Sequence, residues 1–185
     1  LRRRQPWIEV LENGRGAHDT ATSYTGHELG LEGWLADKVF WMGGEQPGMD
    51  KKWLTSRNID VIVPCANTDD KYEHPERDTN GREFIIRWIH IKSVTARPLD
   101  LPGCVKAVYS ALSNGNSMYA HCNGGKHRAP IGFTALVVAL GSRKRPMEIL
   151  KVLKAKRPAV WDKFFKPIPT GPNVKRQDKD LFDAL

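Results

Sequence analysis

Residues 117–141, "SMYAHCNGGKHRAPIGFTALVVALG", restrict the fold of this chain more than any other segment. An apolar strand-like run ends at Cys122, and an apolar helical run starts at Arg128 and is closed by Gly141. Only five residues lie between Cys122 and Arg128, and two of them are glycines. Both apolar runs need cover on every side. The strand therefore belongs inside a sheet and the helix against its face.

The rest of the chain repeats this alternation. "DKVFWMGG" holds a short strand at Val39, Phe40 and Trp41 closed by Gly43 and Gly44, and "DKKWLTSRN" reads as a helix capped by Asp50. "IDVIVPCANT" is apolar and β-branched enough for a strand buried on both faces. A polar loop with an Asn80-Gly81 turn leads to a further strand, "REFIIRWIHI". Helices are expected at "CVKAVYSALSN", with Asp100 as N-cap and Pro102 in its first turn, and at the amphipathic "RPMEILKVLKAKR". "DKDLFDAL" closes the chain as a short helix. The prediction is an α/β fold with a central, mostly parallel, twisted sheet flanked by helices. Residues 1–35 show little periodicity and read as a partly ordered N-terminal extension, leaving 36–185 as the folded domain.

The loop between the strand at 117–121 and the helix from 128 sits where open α/β sheets bind ligands. Backbone amides of a tight turn, joined by the free amides of a helix start, form an anion cradle. Gly124 and Gly125 supply the backbone freedom such a cradle needs, and Asn123, Lys126 and His127 complete its wall. Arg128 is placed to grip two phosphate oxygens at once. Thiols set at helix N-termini or beside cations ionise below their usual pKa, and a thiolate is a strong nucleophile. Cys122 facing a bound phosphate is therefore arranged for phosphoryl transfer through a phosphocysteine, with His121 supporting the loop from the strand side.

"HCNGGKHRA" carries the His-Cys-five-Arg signature and resembles the protein tyrosine phosphatase superfamily, most nearly its dual-specificity branch. The resemblance spans roughly residues 36 to 160. It implies a dual-specificity phosphatase-like fold with the phosphate-binding loop between a strand and a helix. It also implies Cys122 as nucleophile, Arg128 as phosphate ligand, and no metal or organic cofactor. Lys126 falls where the tensin-type lipid phosphatases also carry lysine, which suits a strongly acidic substrate. "RAP" resembles the plant glucan phosphatases. Cys65, at the end of "VPC", matches a second cysteine of the tensin type and is a candidate redox partner for Cys122; a small buried hydrophobe is the alternative.

The sequence departs from the family at two places. Ala129 stands where most relatives have a serine or threonine that helps expel the cysteine, which implies slower turnover. Relatives also place an aspartate acid on the loop after the strand matching "FIIRWIHI", yet Lys92, Ser93, Val94 and Thr95 hold no carboxylate. Asp100 and His90 are the candidates, the first also a helix cap and the second also a strand-packed histidine. The expected activity is hydrolysis of phosphomonoesters, chiefly phosphotyrosine, phosphoserine and phosphothreonine in protein. The alternatives are a pseudophosphatase that binds phosphorylated protein without turnover, or a phosphoinositide or glucan phosphatase.

The net charge of +8 agrees with an acidic partner. RNA triphosphatases share the fold, but no aromatic-basic platform points to nucleic acid. No apolar run is long enough for a transmembrane helix, and no signal peptide is expected from "LRRRQPWIEV". Three scattered cysteines make neither a disulfide framework nor a zinc site, which predicts an intracellular protein, cytoplasmic or nuclear. The six tryptophans, Trp7, Trp34, Trp41, Trp53, Trp88 and Trp161, read mostly as core. Oligomeric state leaves no trace in the sequence.

Overall fold

The computed structural model describes residues 8–11, 14, 16–67, 70–91 and 101–166. Seven strands form one twisted sheet: β1 (Ile8–Val10), β2 (Thr20–Thr25), β3 (Val39–Gly43), β4 (Ile59–Ala66), β5 (Ile85–Ile86), β6 (Ile89–His90) and β7 (Ser117–His121). The order is β1-β2-β3-β7-β4-β5, with β6 also paired to β4. β3, β7, β4, β5 and β6 run parallel, while β1 and β2 add an antiparallel edge to β3. The predicted α/β fold with a mostly parallel sheet is the fold observed.

Five helices cover the two faces: α1 (Glu45–Met49), α2 (Lys51–Ser56), α3 (Leu101–Ser113), α4 (Arg128–Ala139) and α5 (Pro146–Lys156). The period-two alternation of the strands sorts their side chains between the faces. Met118, Ala120 and Cys122 join the large core under α3, α4 and α5 with Phe40, Met42, Val61 and Val63. Tyr119 joins Trp41, Ile62 and Leu54 of α2 in a smaller core on the opposite face. Asp50 caps α2 as predicted, its carboxylate accepting from the Trp53 amide at 2.9 Å.

Three local readings change. The stretch read as an extension supplies β1 and β2, and Tyr24, Leu29 and Leu31 are buried from it. "TATSYT" hides its strand because a threonine, Thr22, is buried between Ala21 and the half-buried Ser23, which breaks the apolar alternation. "REFIIRWIHI" forms two short pieces, since β5 and β6 pair with β4 on either side of Arg87 and Trp88. The helix expected from Cys104 begins at Leu101, with Pro102 inside its first turn. Asp100, residues 92–95, Trp7 and the expected "DKDLFDAL" helix lie outside the described residues.

Candidate active site

β7 is buried along all five residues between β3 and β4, and it delivers Cys122, 4% exposed, to its C-terminal end. The chain turns through residues 123–127 and enters α4 at Arg128. The two glycines of the turn are not equivalent. Gly125 has φ +60°, and a Cβ there would lie 2.4 Å from the Gly43 carbonyl oxygen and 2.9 Å from Arg157 Nη2. Gly124 has no such φ, and a Cβ there would meet only the Lys126 side chain at 3.3 Å. Only Gly125 is therefore imposed by geometry.

Four consecutive carbonyls of the turn are held from outside it. Asn123 O accepts from the Glu45 amide at 2.8 Å, and Lys126 O from the Trp161 amide at 3.0 Å. Between them, Gly124 O and Gly125 O accept from Arg157 Nη2 at 2.8 Å and Nε at 3.2 Å. A peptide N–H points opposite to its C=O, so outward carbonyls direct the amides of 124–127 into the turn. Among the described residues, no acceptor takes those amides. The result is a turn whose inward amides have no partner among the described residues, the shape an anion cradle requires.

Arg157 is one of the residues that the sequence does not reveal, with Asp70 and His74. It lies just past α5, is 2% exposed, and also donates to Ala17 O at 2.8 Å and Thr20 Oγ1 at 2.8 Å. Burial pushes its pKa down, and its donors are spent on carbonyls and hydroxyls. An arginine at the end of an amphipathic helix normally reads as solvated, so its sequence carries no sign of this role.

At the mouth of the cradle, Arg128 Nη1 pairs with Asp70 Oδ2, and its Nη2 lies 3.5 Å from Asn123 Oδ1. Tyr72 donates its hydroxyl to the same Asn123 oxygen. Burial alone would lower the pKa of Arg128, but the Asp70 carboxylate more than reverses this. Asp70 is fixed by a local turn: its amide donates to Asn67 O at 3.1 Å and its carboxylate accepts from the Asn67 amide at 2.8 Å.

His121 is fully buried on the far face of β7, where its ring stacks on Tyr119 and its Nε2 lies 2.8 Å from His74 Nε2. The Cys122 carbonyl, 3.4 Å from His121 Nδ1, can only accept. Nδ1 therefore carries the proton, Nε2 accepts, and His74 donates through its own Nε2. Burial holds His74 down to about 4 and His121 to about 3, so both are neutral near pH 7. Tyr72 and Trp88 close over this pair, and His90 stacks on Trp88 at 12°. His90 is thus packed against the indole, as its strand position suggested.

His127 meets the Trp161 ring at 4.4 Å between centroids, and Lys163 Nζ lies 4.9 Å over the same ring. Burial, then Lys126, Arg128 and Lys163, lowers the pKa of His127. Of the tryptophans, Trp41 is buried in the smaller core with Trp53 packed against it, Trp161 packs on the large core beside His127, Trp88 borders the site, and Trp34 is 43% exposed against Tyr109. Cys65 is fully buried beneath α4, where a Cβ on Gly132 would fall 2.5 Å from its Sγ. Burial, with Cys122 next, pushes the Cys65 thiol up. All three cysteines are free thiols. Ala129 is buried in the first turn of α4. Among the described residues, no three His, Cys, Asp or Glu side chains are grouped to hold a metal, and no helix is long and apolar enough to cross a membrane.

No protein-family model matches the sequence, and a search of curated proteins finds no similar sequence. Solved structures do match in shape. Kinase-associated phosphatase, with its catalytic cysteine replaced by serine, superimposes with a TM-score of 0.56 at 14% identity, covering 82% of this chain and 89% of that one. A variant of human DUSP28 gives 0.53 at 14% identity over 78% and 90% of the two chains. Human tyrosine phosphatase-like serine/threonine/tyrosine-interacting protein gives 0.53 at 13% identity over 78% and 91%. The chain therefore has the fold of the dual-specificity phosphatases.

Proposed function

We propose that this protein is a cysteine-dependent phosphatase acting on phosphomonoesters, with phosphorylated protein as substrate. The observation that carries the reading is the set of four outward-held carbonyls at 123–126, which turns the backbone amides toward one point beside Cys122 and Arg128. Cys122 attacks phosphorus, while those amides and Arg128 stabilise the transferring phosphoryl group. Water then hydrolyses the phosphocysteine. Lys126 and Lys163 set positive charge beside the turn and favour acidic substrates. Three free thiols agree with a reducing compartment inside the cell. The test is hydrolysis of p-nitrophenyl phosphate by the wild type beside Cys122→Ser, with phosphopeptides to follow. Turnover that Cys122→Ser abolishes supports the enzyme.

A second reading is a phosphate-binding module without turnover. It is favoured by Ala129, which brings no hydroxyl to the first turn of α4 where relatives use one to expel the thiolate. Absent hydrolysis, with Arg128-dependent binding of a phosphopeptide, supports that reading instead.

A further inference from the structure

Resting on the phosphatase reading, we propose that Asp70 is the general acid and base of the reaction, supplied by the loop after β4. The step that breaks the ester bond needs a proton on the leaving oxygen. Asp70 is the carboxylate bonded to Arg128, the side chain that would hold the equatorial phosphoryl oxygens. Its turn with Asn67 holds the carboxylate on Arg128, whose other Nη lies 3.5 Å from Asn123 Oδ1 at the start of the 123–127 turn. Among the described residues, Arg128 from α4 and Tyr72 from its own loop interact with Asp70, while Cys122 at the end of β7 and Glu45 of α1 act on Tyr72.

A phosphate dianion entering the cradle takes the guanidinium donors that Asp70 uses, and the proposed reaction starts with Asp70 in its carboxylic acid form. The Cys122 thiolate attacks phosphorus and the P–O ester bond breaks. The departing oxygen takes its electron pair and the Asp70 proton. In the second half, water attacks phosphorus, Asp70 takes one of its protons, the S–P bond breaks, and thiolate and phosphate are released.

The test compares wild type, Asp70→Asn and Cys122→Ser on aryl phosphates with leaving groups from p-nitrophenol to phenol. Asn keeps the turn, because its carbonyl accepts from the Asn67 amide as the carboxylate does. Asp70→Ser, measured with thermal melting, guards against a folding defect. The expected result is a kcat/KM on phenyl phosphate lowered about 100-fold or more, with a far smaller loss of kcat/KM on p-nitrophenyl phosphate. A change of kcat/KM that is the same for every leaving group, an increase on all of them, or no effect overturns the role of Asp70. If wild type turns over and Cys122→Ser does not, that outcome leaves the phosphatase reading standing. An inert wild type overturns both.

Discussion

Lowering the pH from 7 to 5 should destabilise this protein through the two histidines that bond each other beneath the cradle. In the unfolded chain each histidine has a pKa near 6.5. Over that interval it passes from largely neutral to almost fully protonated, which favours unfolding by about 2 kcal/mol per residue when the folded state takes up no proton. Folded His121, held at about 3 by burial, takes up almost none, and His74, at about 4, takes up little. The unfolded state therefore binds more protons below pH 6.5, and stability falls as pH falls. His74 is only partly buried, so solvent reduces its share to about 1 kcal/mol. The expected total is about 3 kcal/mol.

The window stops at pH 5 so that carboxylates contribute little. Urea unfolding, followed by tryptophan fluorescence in buffers free of phosphate, measures the change. His74→Phe/His121→Asn is the comparison: it starts less stable at pH 7 and should lose correspondingly little on acidification. The other histidines are common to both proteins. Equal losses in wild type and paired variant would refute the reasoning, whatever their size.

Arg157→Met leaves the Gly124 and Gly125 carbonyls without their buried donor, so urea unfolding should show a loss on the order of 3 kcal/mol and titration should show weaker vanadate binding. Gly125→Ala forces a side chain into a positive-φ position against the Gly43 carbonyl and should cost about 2 kcal/mol in the same assay. Gly124→Ala, which meets only a flexible lysine, should cost well under about 1 kcal/mol. Under limiting hydrogen peroxide, Cys122 should become a sulfenic acid that the Cys65 thiol displaces, releasing water and forming a disulfide. Mass spectrometry should find the 65–122 linkage, dithiothreitol should restore activity, and Cys65→Ala should lose activity irreversibly. No linked peptide in the wild type removes Cys65 from that role.

The cradle was legible in the sequence because everything that defines it locally is contiguous. A buried strand, a glycine-bearing turn and a helix start occupy fewer than 25 residues of the quoted segment, and Cys122, Gly125 and Arg128 stand where that pattern puts them. The residues that act on the cradle from elsewhere were not legible. Asp70 lies 58 positions from Arg128, and His74 lies 47 from His121. Their local sequence, "DDKYEH", is that of a solvated loop. Nothing short of the tertiary fold selects those two from their neighbours. β2 escaped notice for a different reason, since Thr22 is buried without being apolar.

Arg157 also sets an order of events during synthesis. Its bonds reach back 33 residues to Gly124 and 140 to Ala17, so they depend on segments from both ends of the described chain. Contacts between such distant segments form late, after shorter loops have closed. On a ribosome adding about 5–20 residues per second, Gly124 is made several seconds before the arginine that orients it. Until residue 157 has emerged and α5 has docked, the nascent chain carries Cys122 and Arg128 without a cradle between them. The nascent chain can hold the Gly124 and Gly125 carbonyls outward only after residue 157 has been made.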